Sequence, residues 1–134
     1  MQIVLKNQPS EKQKIVRALE QFGRDHHLPA NVVQAADLAL EEHITNLMSY
    51  GLADNREHQI DVRFSLRPDF IIEVEDDGPP FNPLQLPAVD TTLPLEQRPI
   101  GGLGIHLMRQ FMDGIEYHSA GGKNVLRMQK RLPK

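Results

Sequence analysis

The residue types best suited to metal and proton chemistry occur together in one helical segment. Glu42 and Asn46 are four residues apart, so a helix would hold a carboxylate and an amide side by side on one face. The apolar residues Leu40, Ile44 and Leu47 define the opposite face, which should pack against the sheet. An exposed polar face without any function would show the same spacing, so the pair alone is a weak signal.

A second candidate group stands where an apolar strand ends. Ile72, Val74 and Asp76 share one face of the segment FIIEVED because side chains alternate along a strand. A carboxylate that continues an apolar row should be partly buried and needs a hydrogen-bond donor. Gly78 follows it, and the missing Cβ allows a flat ligand or a turn to come close. Asp-Asp-Gly is also an ordinary signal for a turn after a strand, and both interpretations stay open here.

Three glycines, Gly101, Gly102 and Gly104, follow a proline-rich segment and open a predicted helix. Backbone N–H groups and the helix dipole at such a start suit a phosphate, although simple flexibility at a helix start is the alternative. The segment matches neither the GxxxxGK[ST] phosphate loop nor the dinucleotide fingerprint that follows a strand.

Other site chemistries find little support. The six histidines include no HExxH pattern, so we expect surface or supporting roles for them rather than metal ligation. No serine lies in a GxSxG setting. The absence of cysteine excludes disulfides, thiolate metal sites and cysteine nucleophiles, and it fits a reducing compartment.

The elements that must position these groups begin with a strand around Ile3 and Leu5, followed by two helices. Ser10 and Gln13 form a capping-box pattern, which predicts a helix that runs to about Gly23. The second helix is predicted to begin with Asn31 as its cap and to end near Tyr50, with Gly51 as the stop signal.

The second half of the sequence contains strands around a long connection. The alternating segments QIDVRFSL and FIIEVED predict a hairpin. Residues 79–104 are too rich in proline for regular structure, and a connection of this length is usually functional, most often a lid. A short helix with Ile105, Met108 and Met112 precedes the strands GIEYH and NVLRMQKRL. This order predicts an α+β fold, a mixed or mainly antiparallel sheet with helices on one face.

Size and charge narrow the class of protein. A chain of 134 residues with 40% hydrophobic and 25% charged residues predicts a single globular domain, residues 1–134. The net charge of -3 comes from 15 basic and 18 acidic residues without a basic stripe, which argues against nucleic acid and anionic lipid as partners. No apolar run reaches the roughly 20 residues of a membrane span and the N-terminus lacks a signal-peptide core, so we expect a cytoplasmic protein.

Three segments in this order and spacing strengthen one another: LALEEHITNLMSYG, VEDDGPPFNP, and GGLGIHLMRQFMDGIEYHSAGGKNVLRMQKRL. Together they resemble the N box and the two glycine boxes of the gyrase, histidine kinase and MutL type ATPases, in the variant of the serine-kinase anti-sigma factors. The resemblance extends from about Ile3 to Leu132 and implies a Bergerat-type ATP-binding fold, a two-layer sandwich. FNP stands where the family commonly has FDP.

The resemblance implies roles for individual residues. Asn46 matches the magnesium-binding Asn, and Glu42 the carboxylate that orients or deprotonates the attacking group. Asp76 matches the acceptor for the adenine amino group, with Gly78 beside the base. ATP and Mg²⁺ are the implied cofactors.

Further implied contacts come from the loop region. Gly102 and Gly104 match the glycines that approach the phosphates, residues 84–100 would form the lid, and Arg98 would reach a phosphate from it.

The resemblance implies an ATP-dependent serine or threonine protein kinase that also binds a regulatory partner. This partner would be a sigma factor or a small antagonist of the sulfate-transporter and anti-sigma-antagonist type. Members of the family often form dimers, so the resemblance also implies a possible homodimer. One alternative is a nucleotide-binding interaction module without kinase activity. Another is a detached histidine-kinase catalytic domain, which would need a separate partner that bears the phosphoacceptor histidine.

Overall fold

The computed structural model describes residues 1–52, 56–66, 68–80, 82, 84 and 108–132. Its main elements in chain order are β1 (Gln2–Lys6), α1 (Lys12–Asp25), α2 (Ala30–Asn46), β2 (Gln59–Leu66), β3 (Phe70–Asp76), β4 (Gly114–Ala120) and β5 (Lys123–Lys130). A 3-10 turn over Pro9–Glu11 leads into α1, and a π-helical turn over Leu47–Gly51 continues α2. Residues 108–111 form one more helical turn, within the short helix that the sequence predicts.

The strands of the described residues form one five-stranded sheet in the order β1-β2-β3-β5-β4. Every strand pair among the described residues is antiparallel. This agrees with the mainly antiparallel sheet that the sequence predicts. β2 and β3 form the predicted hairpin. β4 and β5 are joined by Gly121 and Gly122, whose φ angles of +60° and +78° belong to the left-handed region that glycine adopts without strain.

Both α-helices pack on one face of the sheet, as the two-layer α+β prediction requires. In β2 the buried residues Ile60, Val62 and Phe64 alternate with more exposed ones, and they join the same core cluster as residues of α1 and α2. Phe22 of α1 lies with its ring centroid 5.5 Å from those of Phe64 and Phe70. These ring contacts connect the helix layer to the middle of the sheet.

The first helix differs from its predicted boundaries. No side chain caps its start, so the Ser10 and Gln13 capping box is wrong; instead Glu11 Oε1 accepts a hydrogen bond of 3.1 Å from the Lys6 N–H. The helix also continues past Gly23 to Asp25. A Cβ on Gly23 would lie 2.8 Å from Val33 Cγ2, so this glycine permits the close approach of α2 and does not end the helix.

The cap that the sequence predicts for the second helix is also wrong. Asn31 lies inside α2, and Pro29 occupies the N-cap position with φ -58° and no side-chain cap bond. The Pro29 carbonyl accepts the N–H groups of Val32 and Val33 at 3.0 and 3.2 Å, which satisfies donors of the first turn without Asn31. At the other end, the π-helical turn carries the helix to Gly51, close to the predicted stop.

Candidate functional site

One row of side chains crosses the helix-facing side of the sheet and changes from apolar to polar. The cross-strand register pairs its members from β1 to β4 as Leu5, Ile60, Asp76, Asn124 and Ser119. Side chains directly opposite each other in an antiparallel sheet are close neighbours. The apolar core therefore gives way to a polar cluster at the end of β3.

Asp76 is the buried acid of this cluster, with 5% of its surface exposed. Its Oδ1 accepts hydrogen bonds from Asn124 Nδ2 at 2.9 Å and from the Gly78 N–H at 3.0 Å. Burial raises the pKa of Asp76, and the two hydrogen bonds act against that rise. The strand alternation thus predicted both the burial of this carboxylate and its need for donors.

The two oxygens of Asp76 are not equivalent. Both hydrogen bonds from described residues reach Oδ1. Oδ2 has no such bond among these residues and is not one of the fully enclosed unpaired atoms. An ionised carboxylate accepts hydrogen bonds on both oxygens, so Oδ2 remains an acceptor for a ligand that donates.

Asn124 holds this end of the sheet together. Besides Asp76, its Nδ2 donates to the carbonyls of Gly78 at 2.9 Å and Pro79 at 3.3 Å. Its Oδ1 accepts from Ser119 Oγ at 2.7 Å and from Tyr117 Oη at 3.2 Å. The sequence interpretation missed Asn124. The available signal was alternation, because Leu126 and Met128 on the same strand predict that Asn124 also faces the helices.

The neighbouring acid, Asp77, points to a different partner. Its Oδ1 lies 2.8 Å from His58 Nδ1, just before β2, and the His58 N–H donates to Asn7 Oδ1 at 3.0 Å. These contacts connect the turn after β3 to the start of β2 and to the segment after β1. Two adjacent aspartates therefore serve separate contacts, with Asp76 directed inward and Asp77 half-exposed.

On α2 the structure corrects the predicted position of Asn46. The residue is 2% exposed and so does not lie on an open face opposite the apolar stripe. The helix is buried on two adjacent sides, because a second row lies beside the stripe of Leu40 and Ile44; its members are Val32, Ala35, Ala39, His43 and Asn46. Glu42 is half-buried at the border of this region, one turn before Asn46.

Two polar atoms of this second row are enclosed without a hydrogen-bond partner among the described residues. They are His43 Nδ1 and Asn46 Nδ2. Burial lowers the pKa of His43 to about 3, so its ring is neutral at neutral pH. His43 is therefore a buried histidine and not a surface one.

The structure groups the predicted residues in two places. Asp76 and Gly78 belong to the Asn124 network, whereas Glu42 and Asn46 lie on α2, and no hydrogen bond between described residues joins the two groups. Arg98, Gly101, Gly102 and Gly104 lie outside the described residues, as do Ile105 and all of the predicted lid except Leu84.

The rest of the described chain can be compared with the features of a membrane span, a metal site and a ligand pocket. None of its helices is long and apolar enough to cross a bilayer, and its His, Asp and Glu side chains form no cluster of three or more that could hold a metal. An open groove of about 690 Å³ lies between α1 and α2, lined by residues such as Leu19, Leu28 and Val33. The predicted nucleotide contacts within the described chain lie elsewhere.

Comparison with known proteins supports the fold. The chain is similar to the histidine kinase domain of a blue-light activated histidine kinase from Erythrobacter litoralis, with a TM-score of 0.58 and 15% identity over 92% of this chain and 60% of that chain. A second structure of that kinase gives 0.57 and 17% over 78% of this chain and 32% of the other. The histidine kinase AdeS from Acinetobacter baumannii gives 0.53 and 14% over 100% and 68%. No curated protein sequence matches significantly.

A sequence model of a protein family supplies the stronger result. The model of the histidine kinase-like ATPase domain matches residues 5–130, which include β2, β3 and both α-helices as well as the last hairpin. Asp76, Asn124, Glu42 and Asn46 all fall within the matched range. The chain therefore belongs to the family of histidine kinase-like ATPase domains.

Proposed function

We propose that this chain binds ATP with Mg²⁺ and acts as a regulatory serine or threonine protein kinase. The observation that carries the nucleotide proposal is the asymmetry of Asp76. Oδ1 is held by Asn124 and the Gly78 N–H, whereas Oδ2 is left as an acceptor on a fixed side chain. The adenine amino group is a donor that fits such an acceptor.

Asn46 fits the metal part of the proposal. Its Nδ2 is enclosed and unpaired among the described residues, so the amide oxygen is the atom that remains for Mg²⁺, which prefers oxygen ligands. Magnesium commonly takes one or two protein ligands and completes its shell with water and substrate phosphates. This agrees with the lack of an acidic cluster in the described residues. The ion would supply charge neutralisation at the phosphates.

Glu42 is the proposed general base. It lies one helical turn from Asn46, and its carboxylate makes no hydrogen bond or ion pair with the described residues, which leaves it free to accept a proton. The carboxylate would take the proton of a serine or threonine hydroxyl while that oxygen bonds to the γ-phosphorus. The bond between this phosphorus and the β,γ-bridging oxygen breaks, and ADP leaves.

The protein partners and the cellular location that we propose rest on the resemblance to the serine-kinase anti-sigma factors. The phosphate acceptor would be an antagonist protein of the anti-sigma-antagonist type, and a sigma factor would be the regulatory partner. A homodimer and a cytoplasmic location belong to the same proposal. The remaining candidate sites, Gly102, Gly104 and Arg98, would contact the phosphates.

Calorimetry with Asp76→Asn tests the nucleotide site. The substitution keeps an acceptor for Asn124 but turns Oδ2 into a donor that faces the donor of the base. We expect ATP affinity to fall by about 1 to 3 kcal/mol, or roughly 5- to 150-fold in Kd. Asp77→Asn is the matched control, because Asp77 contacts His58 instead, and it should bind ATP like the wild type. Equal affinity in a folded Asp76→Asn would make Asp76 structural.

Phosphate transfer to a cognate antagonist tests the kinase part. Glu42→Gln preserves shape but removes the base, so nucleotide binding should persist while the transfer rate falls by about 100- to 10,000-fold. Glu41→Gln is the control, since Glu41 is the exposed neighbour on the same helix. Unchanged transfer by Glu42→Gln would remove Glu42 from the mechanism. Binding without any transfer by the wild type would favour the interaction module.

A further inference from the structure

α2 carries two enclosed polar atoms that have no hydrogen-bond partner among the described residues, and the two side chains lie three residues apart. Both His43 Nδ1 and Asn46 Nδ2 belong to the buried row of this helix. Residues at this spacing are neighbours on a helix surface, with Cβ atoms about 5 to 6 Å apart. Two unpaired polar atoms in one buried patch are costly unless something satisfies both.

The two atoms have complementary hydrogen-bonding capacities. The Nδ2 of an amide can only donate, while an imidazole nitrogen without a proton can only accept. His43 is 2% exposed, and burial favours the uncharged form of an imidazole, in which one of the two nitrogens is such an acceptor. If Nδ1 is that nitrogen, a hydrogen bond between the two side chains, direct or through one bridging water, would satisfy both atoms.

From this arrangement we infer that His43 is a positioning residue, whose Nδ1 accepts a hydrogen bond, directly or through one water, from Asn46 Nδ2 and thereby orients the amide oxygen of Asn46 toward Mg²⁺. The reason is the symmetry of the amide. Its oxygen and nitrogen occupy nearly equivalent positions, and only hydrogen-bond partners decide which way the group points. A flipped amide would place its oxygen against the lone pair of His43 Nδ1 and turn a donor toward the cation. This inference rests on the proposed nucleotide function for its metal, but not for the pairing itself.

The pairing is tested first on the protein without nucleotide. Nitrogen-15 NMR of the wild type should show His43 as the tautomer with its proton on Nε2. His43→Leu should shift the side-chain amide signals of Asn46. His43→Asn, which retains an acceptor oxygen near the former position of Nδ1, should preserve them better than His43→Gln, whose oxygen lies farther out. The tautomer with its proton on Nδ1 would overturn the pairing, even if a variant failed to fold.

The consequence for metal binding is tested by the ratio of ATP affinity with Mg²⁺ to that with EDTA. This ratio should fall about 10-fold in His43→Leu and recover in His43→Asn, while affinity in EDTA stays near that of the wild type. A merely structural histidine would change both affinities together, which would overturn the inference. If the wild type itself binds no nucleotide, the proposed function fails, and the NMR result alone decides whether His43 and Asn46 pair.

Discussion

Removal of the Asn124 amide is the sharpest perturbation of the sheet end, because this one side chain contacts five other residues. Its Nδ2 donates to Asp76 and to the carbonyls of Gly78 and Pro79, and its Oδ1 accepts from two hydroxyl groups. Asn124 itself is 2% exposed. Asn124→Ala therefore leaves several groups unpaired at once in a site that water reaches only in part.

The expected cost follows from these contacts. A buried group that loses its partner costs about 1 to 3 kcal/mol. Asp76 keeps its bond from Gly78, and the two carbonyls are near the surface, so we expect the free energy of unfolding to fall by about 2 to 3 kcal/mol in total. For a chain of 134 residues this lowers Tm by roughly 7 to 11 °C.

Urea denaturation of Asn124→Ala measures this loss, and Ser119→Ala provides the control. Ser119 is exposed and gives Asn124 only one of its bonds, so its removal should cost no more than about 0.5 kcal/mol. Asn124→Asp adds a test of pH dependence. It places a second carboxylate about 2.9 Å from Asp76, and the repulsion between the two carboxylates raises the pKa of the pair. The folded state then binds more protons than the unfolded state, so part of the lost stability should return as pH falls. Stability of Asn124→Ala within the range of Ser119→Ala would refute the network.

Two further outcomes concern stability alone. The folded pKa of His43 is about 3 and its ordinary value is 6.5. The unfolded chain therefore binds more protons below about pH 6.5, and stability should fall by about 2 kcal/mol between about pH 7 and pH 5. The raised pKa of Asp76 acts in the opposite direction, so urea titrations of wild type and His43→Leu are compared, and equal pH slopes would contradict the assignment. Gly122→Ala, at φ +78° with open space around the new Cβ, should lower the free energy of unfolding by about 1 kcal/mol without an effect on ATP affinity, as thermal denaturation and calorimetry would show.

Strand positions could be predicted because alternation is a local property of the sequence. β2 and the second half of β3 alternate buried and more exposed residues, so the burial of Ile60 or Val74 can be predicted from the strand's own sequence. The same rule placed Asp76 on the inner face. It could have placed Asn124 there too, but only the pairing of β3 with β5 shows that the two side chains meet.

Helix ends and helix faces were less predictable, since both depend on tertiary contacts. Ser10 has the right residue type for a cap, yet the chain enters α1 through a 3-10 turn and Glu11 satisfies a backbone donor instead. The sequence shows one clear apolar stripe on α2, and this pattern predicts an open face for Asn46. The small residues Ala35 and Ala39 that form the second buried row carry little hydrophobic signal of their own.

The candidate site has two groups of residues, one at the end of β3 and one on α2. They differ in how many of their hydrogen bonds are formed without a ligand. At the sheet end, Asp76 is held by a side-chain amide and a backbone N–H, so its orientation is fixed before any ligand arrives. On α2, Asn46 has an enclosed donor that no described residue accepts. An acceptor fixed in advance favours recognition of the base without reorganisation, whereas an unpaired amide can still reorient. The proposed adenine contact therefore depends on sheet register, whereas the proposed metal contact depends on the residue beside Asn46. This is why we infer that His43 links the fold to the proposed chemistry.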